Sequence, residues 1–210
     1  MNKQEIAAFF DRHAPRWDDH MVTDDTKLKA ILDAAGVREH TTVLDVACGT
    51  GVLFPYYLAR EVAAVTAVDL SPEMVRIAAE KNRDSRIRVI CGDVETLPVD
   101  RLYDCCVVYN AFPHFPDPAH LVARLAAWVR PGGRLTVAHG MSLEALHRHH
   151  AGVAGHVSRE MLTTAELAAV FAPWFHVDTQ VSDHEKYIVS GVRREDAQRN
   201  SEVSESELSN

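Results

Sequence analysis

Residues 42–53, TVLDVACGTGVL, run apolar to an aspartate and then reach Gly49 and Gly51, with Cys48 and Thr50 interleaved. Glycines at the end of a strand let the chain turn sharply and lie against a ligand with no side chain between, while the helix that follows offers free N–H groups. A dinucleotide turn wants G-x-G-x-x-G, yet Ala47, Gly49 and Gly51 give A-x-G-x-G here, and Phe54 holds the third glycine's place. A bulky ring at that point opposes the close helix approach of a pyrophosphate site. Asp69 stands 18 positions after Gly51, where a carboxylate accepts two hydrogen bonds from ribose hydroxyls. Together these residues point to a nucleoside without its phosphates.

Histidine is the second group of residues able to do chemistry. His114 lies in "AFPHF", His139 in "VAHG", and "LHRHHAGVAGH" adds His147, His149, His150 and His156. A neutral imidazole takes up a proton near physiological pH or ligates a metal. His147 and His150 share a helix face at i, i+3. General base, metal ligand and hydrogen-bonded structural side chain therefore all stand as readings of the cluster, with His114, His139 and His150 the candidates for acid/base work or substrate orientation.

The elements that must position these residues alternate in type. Residues 42–47, 63–69, 86–91, 103–109, 134–139, 175–182 and 186–193 are short, rich in Val, Ile, Leu or Tyr, and bounded by turn residues, which predicts seven strands. Helical patterns lie between them, from Leu28 to Ala35, Leu53 to Arg60, Pro72 to Lys81, Ala119 to Val129, Leu143 to His150 and Thr164 to Phe171. Strand alternating with helix predicts an α/β fold, a doubly wound, mostly parallel seven-stranded sheet with helices on both faces. Ser71 reads as a helix cap with Pro72 in the first turn, and Arg130-Pro131-Gly132-Gly133 as a turn into the fifth strand. The link between the last two strands is too short for a crossover helix, so they should form a hairpin that adds an antiparallel strand. Asp69, His114 and His139 then all fall at the carboxyl ends of strands, where ligands of such sheets bind.

Composition bounds the partners. A formal charge of -8 over 210 residues gives no basic footprint, which disfavours nucleic acid and leaves a small-molecule substrate. Cys48, Cys91, Cys105 and Cys106 show no CxxC spacing; the last three sit in apolar strand-like runs where a buried thiol and a reducing cytoplasm are expected. Charge interrupts "MNKQEIAAFFDRH" before any signal-like run forms, and no later stretch is long enough to span a membrane. Residues 1–27 place Ile6, Phe9 and Phe10 on one helical face and read as a lid or a helix packed on the sheet edge; 28–193 form the one main domain. Residues 195–210 carry five acids and one arginine, and 194–210 read as a solvated acidic tail.

At this point the chain resembles the class I S-adenosylmethionine-dependent methyltransferases, whose fold is Rossmann-like. "VLDVACGTGVL" is similar to their glycine-rich first motif, "AVDLSPEMVRIAAEK" to the acidic second motif and its helix, and "IRVICGDVETLPV" to the adenine-side loop. "YDCCVVYNAFPHF" resembles the fourth strand and "VRPGGRLTVAHG" the approach to the fifth, so the likeness covers residues 42–140 in order. "FFDRHAPRWDD" resembles the opening of the small-molecule, ubiquinone- and menaquinone-methylating branch, with Trp17 where that branch has tyrosine.

The resemblance implies S-adenosylmethionine as cofactor and assigns residues to it. Backbone around Ala47, Cys48, Gly49 and Gly51 would lie against the methionyl part, with Asp45 orienting the loop or the ammonium, and Trp17 would be among the cofactor-binding residues. Asp69 would hold the ribose hydroxyls, Leu70 and Met74 would pack on adenine, Asp93 would accept the adenine amino group with Val94 beside the ring, and Asn110 would face the carboxylate or sulfonium side. Methyl transfer by in-line displacement needs alignment and exclusion of water; an acceptor that must lose a proton would use a histidine. The chain after the fourth strand reads Asn110-Ala111-Phe112-Pro113, without the N-P-P-Y or D-P-P-Y run of nucleic-acid amino methylation. Residues 140–175 and the N-terminal helix should cover a modest, partly apolar acceptor, in a monomer or homodimer. Two other readings stay open: a nicotinamide oxidoreductase, and a cofactor- or metal-binding protein built on His114, His139 and His150.

Overall fold

A computed structural model of the chain describes residues 2–20, 23–150 and 155–195, and of His20, His149 and His150 the backbone alone. The order is α1 (Lys3–His13), a 3-10 segment (Ala14–His20), α2 (Asp25–Ala34), β1 (Thr42–Val46), α3 (Phe54–Ala59), β2 (Ala64–Asp69), α4 (Pro72–Lys81) and β3 (Ile87–Cys91). It continues with β4 (Tyr103–Tyr109), a 3-10 turn (Phe112–His114), α5 (Pro118–Trp128), β5 (Val129–His139), α6 (Leu143–His150), a 3-10 turn (Gly155–Val157), α7 (Thr164–Phe171), β6 (Phe175–Ser182) and β7 (Tyr187–Arg193).

The strands form one seven-stranded sheet in the order β3-β2-β1-β4-β5-β7-β6. β1 pairs in parallel with both β2 and β4, and β7 enters antiparallel between β5 and β6. Because the chain winds outward from β1 to β3 and then returns to β4, a crevice opens at the carboxyl ends of β1 and β4. Both strands leave the sheet there through a residue at positive φ, Ala47 at 54° and Asn110 at 53°. Such a backbone is costly for a residue with a Cβ, least so for Asn, so the two lips of the crevice are bent against the chain's own preference.

Period-2 alternation sorts the side chains. Leu44, Val46, Cys106 and Val108 face a core shared with α5 and α7, while Val43, Cys105 and Val107 face one shared with α2, α3 and α4. Ser71 caps α4, its Oγ accepting from Met74 N–H at 3.1 Å, and Thr163 and Glu166 form a reciprocal capping box on α7.

Two expectations need correction. β5 begins at Val129, not 134, because the chain through Pro131 and Gly132 (φ 76°) is taken into the strand as a bulge between the pairs Tyr103/Val129 and Cys105/Arg134. Cys91 is exposed, since it ends the edge strand, whereas Cys48, Cys105 and Cys106 are buried; all four thiols are free. Among the described residues no helix is long and apolar enough to cross a membrane. The acidic segment beyond Glu195 lies outside the described residues.

Candidate active site

The cradle starts at Asp45, which is 2% exposed and sits behind the loop, not on the cavity wall. Complete burial and the nearby Asp69 carboxylate push its carboxyl up to about 7. Ala47 then turns the chain, Cys48 N–H donates to the Val68 carbonyl (3.1 Å), and Gly49, at φ 56°, donates its N–H to Asp69 Oδ2 (2.8 Å). A Cβ on Gly49 would meet no atom within 4 Å; it would project into the open space of the cavity. Gly51 has a different reason to be glycine: at φ 85°, its Cβ would stand 2.5 Å from the Phe54 ring. Phe54 thus fills the space under the loop, and Gly51 is absent from the cavity lining.

Asp69 ties this loop to the next element. Its Oδ1 accepts from Ser71 N–H (2.9 Å) while Oδ2 holds Gly49, so one carboxylate fixes both the glycine turn and the start of α4. Burial raises its pKa against the pull of those hydrogen bonds. Each oxygen keeps a second lone pair for a donor such as a sugar hydroxyl. Leu70, Met74 (1% exposed) and Val94 (3%) form the apolar wall beside it, and Asp93 closes that end.

Residues 3–20 lie across this groove and touch every segment of it. Lys3 Nζ pairs with Asp93 Oδ2 and with Glu95 Oε2, each at 2.6 Å. Asp11 Oδ1 accepts from Ser71 Oγ (2.5 Å) and Glu73 N–H (3.1 Å), and Asp18 accepts from Thr50 Oγ1 (2.7 Å) and pairs with Lys81. Ile6, Phe9 and Val157 form a small core of their own, with Phe10 and Leu70 against it.

Beyond the cradle the same cavity, about 740 Å³ in all, continues to Tyr109, Asn110, His114, His139, Met141 and Leu146. Trp17 lines it too, 38% exposed, its ring 5.5 Å edge-on from Phe10. Asn110 Oδ1 accepts from Gly140 N–H (3.0 Å), which joins the ends of β4 and β5. His139 is 1% exposed, with Tyr187 6.1 Å away in an edge contact; His114 is half-buried under the edge of Phe10 at 4.9 Å. His147 Nε2 is instead 3.0 Å from the Met161 carbonyl, and His156 stacks edge-on with Phe9. The side chain of His150 lies outside the described residues. Among the described residues no three His, Cys, Asp or Glu side chains converge to hold a metal ion.

Sequence reasoning missed the wall that the N-terminal segment supplies. Lys3, Arg12, His13 and Arg16 line the cavity, as does Glu95. Only the pattern "FFDRHAPRWDD" hinted that Asp11 and Asp18 belong to the site, and nothing local marked Lys3, whose partners lie about ninety residues away.

A family model described as a methyltransferase domain matches residues 43–133. The malonyl-[acyl-carrier protein] O-methyltransferase of Pseudescherichia vulneris is 31% identical over 180 residues, 83% of this chain and 70% of that protein. The ubiquinone biosynthesis O-methyltransferase of Xanthomonas oryzae is 37% identical over 112 residues, 51% of this chain and 45% of that one. The chain spans about half the length of the first curated relatives it matches. Among solved structures, a Haloferax volcanii methyltransferase in complex with the Trm112 activator superimposes with a TM-score of 0.74 at 24% identity, covering 91% of this chain and 97% of that one. The strand order and the crevice at the carboxyl ends of β1 and β4 are those of a Rossmann-like α/β fold. The chain belongs to the class I S-adenosylmethionine-dependent methyltransferases.

Proposed function

We propose that this protein transfers a methyl group from S-adenosylmethionine to a small, partly apolar acceptor, with an oxygen nucleophile as the reading that its O-methyltransferase relatives support. One observation carries this reading: a single cavity joins the Gly49–Asp69–Asp93 end to the His114–His139 end. The residues present fit the cofactor. Gly49 leaves open space, Asp69 has lone pairs to spare, and an apolar wall stands beside it for a purine. When bound, S-adenosylmethionine supplies an electrophilic methyl carbon on sulfur.

The chain's own residues do the rest. Asp69 holds the ribose hydroxyls, Asp93 the adenine amino group, Leu70, Met74 and Val94 the ring faces, and the backbone of Ala47 to Gly49 with Asn110 the methionyl end. Residues 3–20 act as a lid that excludes water, which would compete with the acceptor. Phe10, Trp17, Phe115 and Met141 give the acceptor an apolar seat, and His114 takes its proton.

A thermal-shift comparison of S-adenosylmethionine, S-adenosylhomocysteine and NAD tests the reading. A ligand at a hundred times its Kd stabilises the fold by about 2.7 kcal/mol. The two sulfur nucleosides should raise Tm and NAD should not; a shift with NAD alone would overturn the assignment in favour of hydride chemistry.

A further inference from the structure

We propose that the backbone of residues 157–159 is the positioning partner of His114: it fixes the imidazole with its proton on Nδ1 and its lone pair on Nε2, and the N-terminal lid holds that backbone in place. The inference rests on the methyltransferase reading only for its use in catalysis; the geometry stands by itself.

Two reciprocal bonds lock the segments together. Arg159 N–H donates to the Pro113 carbonyl (2.8 Å), and one residue on, His114 Nδ1 lies 2.9 Å from the Val157 carbonyl. A carbonyl oxygen only accepts, so this contact is a hydrogen bond only when Nδ1 carries the hydrogen. Ser158 Oγ, 3.1 Å from the same nitrogen, must then accept as well. The neutral ring so held has its lone pair at Nε2, which makes Nε2 the atom able to take a proton from an acceptor. In that step the acceptor's X–H pair becomes the new X–CH3 bond, the proton moves to Nε2, and the electron pair of the broken S–C bond leaves with sulfur. The Val157 carbonyl then faces an imidazolium and stabilises it, the part a carboxylate plays behind the histidine of a hydrolase triad.

The second half of the inference concerns what holds Val157. Its side chain is 0% exposed, packed with Ile6 and Phe9 of α1, and Phe10 lies edge-on to His114 itself. The lid therefore supports both the carbonyl that orients the ring and the ring's own face. Lid closure and orientation of the base are one event.

Nitrogen NMR of the imidazoles in the full chain with S-adenosylhomocysteine present tests this, with His114→Gln used to assign the resonances. His114, where neutral, should show a single tautomer with the hydrogen on Nδ1. Phe9→Ala, which loosens the α1 core without touching the sheet, should convert that signal to a tautomer average. Wild-type protein that shows the opposite tautomer or an average would overturn the proposal, and so would a Phe9→Ala spectrum identical to wild type. Calorimetry with S-adenosylhomocysteine separates the two readings: a fixed tautomer without binding heat leaves the positioning intact and overturns the function.

Discussion

Asp69 shows how one side chain ties two segments of a site together. Its two oxygens hold the backbones of Gly49 and Ser71, so removing it loosens the glycine turn and, on the proposed reading, also deprives the ribose hydroxyls of their acceptor. Asp69→Ala should weaken S-adenosylhomocysteine binding by about 1–3 kcal/mol, through unpaired hydroxyls and unpaired loop N–H groups. Asp69→Asn keeps the size and one acceptor oxygen and should fall between the two. Calorimetry on both variants checks this; unchanged affinity in Asp69→Ala would place the ribose elsewhere. The placement of a glycine turn at one strand end and an acid at the next was legible from residue types, because both follow from where the apolar strand runs stop. That Asp45 would lie behind the turn was not legible, since its position depends on the packing of α3 under the loop.

At the scale of elements the N-terminal helix α1 is held by charge across long sequence distances. Glu95 is buried, with a side chain 3% exposed, and Lys3 is the lysine paired with it as well as with Asp93. Lys3→Met leaves two carboxylates without that cation while keeping the stem that packs on the groove. Lys3 itself is 39% exposed, so solvent screens part of the loss. The opening of α1 should become easier by about 1 kcal/mol, roughly fivefold in amide exchange over residues 3–13, with the strands unchanged. Hydrogen exchange by mass spectrometry reads both; equal exchange in α1 would mean that its apolar face alone holds it. Element types were legible because helical and strand periods differ: α4, α6, α7, β4 and β6 fall on the residues that their patterns predict. The contacts of α1 and the bulge in β5 were not, because ion pairs between distant residues and an extra residue in a ladder leave no periodic trace.

For the whole molecule, acidic groups set how stability changes with pH. A carboxyl whose pKa is higher folded than unfolded favours the fold below its unfolded value, about 4, and that contribution is lost as pH rises through the folded value. Asp45, pushed up to about 7, is such a group, and Asp69 shifts in the same direction. Asp84 and Asp183, held down to about 2 by their neighbours Arg86 and Lys186, act oppositely and weaken the fold only as pH falls toward that value. Stability should therefore be greatest in mildly acidic solution and decline through neutrality. A net charge of -8 also predicts some decline through general repulsion as pH rises, so the curve alone does not separate a local cause from a global one. Asp45→Asn does, because it removes one buried titration and changes the total charge by a single unit. Denaturant titrations from pH 5 to 8.5 should show wild type losing up to about 3 kcal/mol that the variant keeps, two pH units of slope below the folded value. Parallel curves for the two proteins would mean that Asp45 stays protonated or finds a cation across that range, and that the decline belongs to the charge of the whole chain.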